Sequence, residues 1–296
     1  MSKAKLAIAL TILSVATVGW AVPVRGTAPQ RVVAPIRLKD ERERGLLAQG
    51  WINGAGPFVF AIDTGAGVSL VSRNVVERAR LGMTRSRRPL VGGFSNSPIA
   101  SDQEAQISGI ALGTRDNRVP GGFVAAIVNT LPGSIDGVLD PTEVFKPFGY
   151  SIDIPNQELQ VFDTASYRLR LTDVPREGAV VRWVREAGSN RPFVKLGDGR
   201  LALLDTGSRL GLALSEGRRV TDRGDTIHDL GGGMIQSRRV APQTVTIGAL
   251  VLNKVPTDVL SGVAPGTPII IGRGALFPFK ITFDPASRLI AFEPTE

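Results

Sequence analysis

The chain has no cysteine and only one histidine among its 296 residues. Without thiols there are no disulfides, no thiolate zinc sites, no cysteine nucleophile and no lipid attached through a cysteine, so stability must come from packing. His228 alone cannot build a multi-histidine metal centre, and no serine near it sits in a Gly-x-Ser-x-Gly nucleophile turn. Beside Asp229 it reads as a surface or loop residue. Aromatic residues make up only 6% of the chain, and the arginines are scattered without an aromatic-interleaved basic stripe. The formal charge of +8 therefore reads as a solvated basic surface, and no nucleic-acid partner is expected.

The N-terminus carries Lys3 and Lys5, an apolar run from Leu6 to Val18, and small residues at Gly19 and Ala21. This pattern predicts an export signal over residues 1–21 and a periplasmic or secreted protein. The apolar core is shorter than the roughly 20 residues that span a bilayer, and the alternative is an uncleaved N-terminal membrane anchor. Residues 22–35 are too short for a typical inhibitory prosegment, so no propeptide removal is expected.

The content that remains is 43% hydrophobic, enough for a sizeable core, and 34 glycines and 20 prolines punctuate short apolar runs. That spacing predicts an all-β protein. The runs occur twice in one order. WINGAGPFVFAIDTGAGVSLVS from Trp51 matches RPFVKLGDGRLALLDTGSRLGLAL from Arg191: strand, tight turn at Asn53-Gly54 or Asp198-Gly199, apolar strand, Asp-Thr-Gly. Asn-Gly and Asp-Gly tolerate the positive φ of a type I′ hairpin turn. Downstream, Gly92-Gly93-Phe94 matches Gly231-Gly232-Gly233, and both halves close with an apolar strand, Pro-Phe and a final hairpin around Pro155-Asn156 or Pro285-Ala286. The polar stretch Thr164 to Gly178 is the expected connection between lobes at residues 30–165 and 176–296. A modest helix is expected after each Asp-Thr-Gly, best seen in SRNVVERARLG, where Val75, Val76 and Ala79 share a face.

An aspartate directly after a buried strand, as in FVFAID and LALLD, is costly unless it is hydrogen-bonded or opens into a cleft. Gly65 and Gly207 let the backbone turn back and offer N–H groups to the carboxylates, and Thr64 and Thr206 carry short hydroxyls able to bond backbone across a junction. A pseudo-twofold arrangement would bring Asp63 and Asp205 together at the seam.

In these features the sequence resembles the aspartic peptidases of the pepsin and retroviral protease superfamily. The resemblance rests on Asp63-Thr64-Gly65-Ala66, on Asp205-Thr206-Gly207-Ser208 and on Ile270-Ile271-Gly272. It implies a bilobal fold of two related β-barrel lobes with the active site in the interlobe cleft. Asp63 and Asp205 would be catalytic, supported by Thr64, Gly65, Ala66, Thr206, Gly207, Ser208 and Gly272. Glycine-rich flaps would involve Gly92, Gly93 and Phe94 in one half and Gly231, Gly232 and Gly233 in the other. The implied reaction is peptide-bond hydrolysis by a water between two carboxylates sharing one proton, with no metal and no organic cofactor. The substrate would be a polypeptide in extended conformation, and two triplets in one chain make a dimer unnecessary.

Two departures stand out. Val138-Leu139-Asp140 puts an aspartate where the resemblance expects glycine; Asp140 either adds a third negative group beside Asp63 or, the preferred reading, caps the segment starting at Pro141. Ala66 lacks the hydroxyl of Ser208, which predicts one hydrogen bond fewer on Asp63 and activity extending toward neutral pH. The rival function is a non-catalytic peptide-binding pseudo-peptidase of the same fold.

Overall fold

The computed structural model describes residues 30–295 except 91–93, 96–100, 130, 132–133, 187–188, 216–223 and 229–232. The expected signal over residues 1–21 lies outside the described residues, as do Gly92, Gly93, Gly231 and Gly232.

Asn53 and Gly54 take φ of 50° and 76°, so the strands Gly45–Ile52 and Ala55–Ile62 close on a turn with positive φ at both positions. The alternation in the second strand buries Phe58, Phe60 and Ile62 on one face. Phe193–Lys195 and Leu201–Asp205 form the matching hairpin, but of Asp198 and Gly199 only Gly199 takes positive φ. There the Asp198 carboxylate accepts the N–H of Arg200 at 3.0 Å, so side-chain chemistry replaces one left-handed residue.

From each hairpin the chain builds the same local sheet. Ala55–Ile62 runs parallel to Gly137–Leu139, which is antiparallel to Ser69–Ser72, itself parallel to Phe123–Val128. In the second half Leu201–Asp205, Ile269–Gly272, Leu212–Ser215 and Leu250–Ser261 repeat this order and these senses. A helix follows the first Asp-Thr-Gly at Arg73–Arg78, capped by Ser72 and burying Val75, Val76 and the neighbouring Ala79. The corresponding place in the second half, after Leu212–Ser215, lies outside the described residues. His228 falls at the end of the strand Asp225–His228 and not in a loop, because the segment pairs antiparallel with the long strand Met234–Ile247.

The protein is all-β, with strands in ten-, seven- and six-stranded sheets, and no closed barrel is formed among the described residues. The six-stranded sheet takes Gly149–Asp153 and Glu158–Phe162 from the end of the first half and Phe279–Asp284 and Leu289–Pro294 from the end of the second. The two hairpins meet edge to edge, with Tyr150 opposite Phe283. One apolar cluster runs from Ile36 and Phe60 through Tyr150 to Phe283 and Phe292, so both halves bury their strands in a shared core. Between Phe162 and Ala179 there is no strand or helix, but the connection is pinned to the second half by buried Leu169, whose N–H donates to Asp284 at 2.9 Å.

Candidate active site

The strands Ala55–Ile62 and Leu201–Asp205 carry Asp63 and Asp205 to the seam between the halves, where 6% and 3% of each residue remain exposed. A carboxylate buried this far needs donors, and the turns supply them. The Gly65 N–H donates to Asp63 Oδ1 at 2.8 Å. Asp205 Oδ1 accepts from the N–H groups of Gly207 and Ser208, both at 2.9 Å. Each carboxyl group also lies against the Asp-Thr-Gly turn of the other half.

The glycines are required by this closeness. A Cβ built on Gly65 would stand 2.6 Å from Cγ of Asp205, and one on Gly207 would stand 2.8 Å from Oδ1 of Asp63. Each half therefore packs its glycine against the other half's carboxyl group. The threonines lock the same junction. Thr64 Oγ1 donates to the Leu204 carbonyl at 2.7 Å and accepts the Thr206 N–H at 3.1 Å, while Thr206 Oγ1 donates to the Ile62 carbonyl at 3.0 Å and accepts the Thr64 N–H at 3.1 Å.

Burial raises the proton affinity of both aspartates, more than the surrounding N–H groups lower it. Two neighbouring carboxyl groups also resist ionising together, so the pair retains one proton well above the ordinary carboxylate range. The expected role of the Ser208 hydroxyl is corrected by the geometry. Its oxygen accepts the Leu210 N–H at 3.3 Å, and Asp205 is held by the Ser208 backbone N–H instead. Ala66 directs its N–H to the Asp63 carbonyl at 3.4 Å, so the two aspartates differ in a backbone donor and not in a hydroxyl.

Gly272 and Asp140 occupy equivalent strand ends, because Ile271 pairs with Leu204 as Leu139 pairs with Ile62. A Cβ on Gly272 would stand 2.5 Å from the Leu210 carbonyl oxygen and 2.8 Å from that of Ser208. The register shows why the first half differs: its loop from the Asp-Thr-Gly to the next strand is one residue shorter. Asp140 fills that space, capping the helix Pro141–Val144 by accepting the Thr142 N–H at 2.9 Å. Its own N–H donates to Ser69 Oγ at 3.2 Å.

Of the flap candidates among the described residues, Gly233 is buried, and Phe94 packs across the seam against the second half's apolar cluster around Leu210, Ala213 and Ile270. The Phe94 carbonyl accepts the Ala264 N–H at 2.8 Å. Sequence reasoning missed Arg273, which is 5% exposed. From the turn after Gly272 its guanidinium pairs with Asp40 and donates to the Arg42 carbonyl at 2.9 Å, tying the second half to the first. Burial lowers its proton affinity, which Asp40, Asp205 and Asp63 oppose in that order. The available signal was an arginine inside the apolar run IIIGRGALF, where a cation demands a partner.

No curated protein matches the chain. A family model described as aspartyl protease matches residues 48–139, from within the first hairpin to the residue before Asp140, and so supports an aspartyl protease relationship for the part that carries Asp63.

Proposed function

We propose that the chain is an aspartic endopeptidase of the pepsin and retropepsin type, built from two copies of one unit, with Asp63 and Asp205 as its catalytic pair. The observation that carries the reading is the meeting of these two buried carboxyl groups at the seam, each under the other half's glycine. With one proton on the pair, as in the aspartic proteases for which such sharing is established, the ionised carboxylate takes a proton from a water molecule as its oxygen attacks the amide carbon. The protonated partner gives its proton to the carbonyl oxygen. Collapse of the resulting diol breaks the C–N bond, and the amine leaves with a proton returned through the pair. The substrate would be an extended polypeptide of exported or envelope proteins, held by main-chain hydrogen bonds. Export itself rests on the sequence pattern of residues 1–21.

Digestion of a denatured protein mixture from about pH 3 to pH 8 tests this, with Asp63→Asn and Asp205→Asn assayed separately. Each substitution is expected to abolish cleavage, and gel filtration should show a monomer as the active species. Hydrolysis that survives either change refutes the pair, and binding without any cleavage by the unsubstituted chain favours the pseudo-peptidase reading.

A further inference from the structure

Asp140 is a buried carboxyl group that the hydrolytic scheme leaves unused. Asp63 and Asp140 leave the ends of adjacent parallel strands, and the Asp63 N–H donates to the Leu139 carbonyl at 3.0 Å. The groups that face Asp140 come from three directions. Glu143, on its own helix, is held by the Ser69 N–H at 2.9 Å; Asp63 comes from the turn; Tyr150, from the six-stranded sheet, meets Thr142 Oγ1 at 2.9 Å. All three titratable neighbours are acids. The buried cation that feels the pair, Arg273, is committed to Asp40, so a charge on Asp140 is felt by the pair with little compensation from its own cluster.

We propose that Asp140 is a positioning residue for the aspartate pair, whose negative charge keeps the shared proton on Asp63 and Asp205 at neutral pH and so sets the alkaline limit of activity. This deepens the peptidase reading and rests on it. Burial, then Glu143 and Asp63, push the Asp140 carboxyl up to about 7, against the Thr142 N–H. In acid Asp140 is neutral and leaves the pair's lower ionisation alone. Around neutrality it ionises, and the added charge raises the affinity of the pair for its remaining proton. A cap alone would do none of this, and the distinction is testable because asparagine caps a helix as well as aspartate does but carries no charge.

The experiment compares the unsubstituted chain with Asp140→Asn by the pH dependence of kcat/KM on a peptide and by carbon NMR titration of the aspartate carboxyl groups. In Asp140→Asn the alkaline limb should move to lower pH by about half a unit to one unit while the acid limb keeps its position. The Asp63 and Asp205 signals should lose an inflection near neutrality that they show in the unsubstituted chain. Superimposable alkaline limbs with unchanged titration overturn the proposal. If hydrolysis is absent, or survives loss of either catalytic aspartate, it is the peptidase reading that fails, and the titration alone decides whether Asp140 and the pair are coupled. Should Asp140→Asn not fold, the unsubstituted chain still decides: the inflection supports the proposal, and its absence overturns it.

Discussion

Gly65 shows how little room the site leaves. A methyl group there would press on the Asp205 carboxyl carbon at 2.6 Å, and the strand ends behind it are buried and cannot retreat freely. Gly65→Ala should therefore lower kcat/KM by about 100-fold or more, since displacing a catalytic group by a fraction of an ångström is enough. The comparison to make is activity against melting temperature: a loss of activity no larger than the loss of folded protein would contradict the argument. Asp140 predicts a pH effect on stability. Its carboxyl is raised to about 7 in the folded chain, above its ordinary value of 3.8, so the folded state binds the proton more tightly than the unfolded state between those values. The contribution is fully present below the unfolded value and is lost as pH rises through the folded one. Urea midpoints should fall from about pH 4 to about pH 7, and the fall should be shallower in Asp140→Asn. The two Asp-Thr-Gly triplets were legible because their chemistry is local: a strand, a carboxylate and the N–H group two residues on. The cap that Asp140 places on Pro141–Val144 was legible too, but the room for its side chain was not, since that depends on a loop one residue shorter and on Ser69, far away in sequence. The Ser208 hydroxyl was misread because residue type shows that a donor exists, not where it points.

The closing hairpins show the same economy with different energetic weight. Asp153 ends one strand of its hairpin, and its carboxylate accepts the Asn156 N–H at 3.1 Å in a partly exposed position. Asp284 stands at the matching place but is fully buried, and it accepts three N–H groups: Ala286 at 2.9 Å, Ser287 at 3.0 Å and Leu169 at 2.9 Å. Removing a side chain that satisfies buried donors costs their desolvation, whereas water replaces it at the surface. Asp284→Ala should destabilise the protein by about 2–4 kcal/mol and Asp153→Ala by less than about 1 kcal/mol, read from chemical unfolding. Similar losses at both sites would show that burial is not what separates them. Both hairpins could be read from Pro-Asn and Pro-Ala between apolar runs. Their edge-to-edge pairing into one sheet could not, because no local pattern specifies which strand edges meet.

At the scale of the molecule, the two halves are joined by a shared sheet, a core cluster and side-chain ties. The threonine hydroxyls cross the seam beside the pair, the terminal hairpins join behind it, and Arg273 reaches Asp40 from the turn after Gly272. Because the apolar cluster runs without a break from Ile36 to Phe292, neither half can expose its share of the core while the other stays folded. Calorimetry should therefore show one transition with equal calorimetric and van't Hoff enthalpies, and two resolved transitions would mean that the halves are independent. Arg273 makes the stronger test. Arg273→Met leaves Asp40 without its buried partner and should cost about 3–5 kcal/mol, while Arg273→Met with Asp40→Asn removes both charges and should recover part of that loss. If the tie were a surface ion pair, the single substitution would cost no more than about 1 kcal/mol and the double one would recover nothing. The transition should stay single in both variants, since the shared sheet and core remain to couple the strands that carry Asp63 and Asp205 even when this tie is gone.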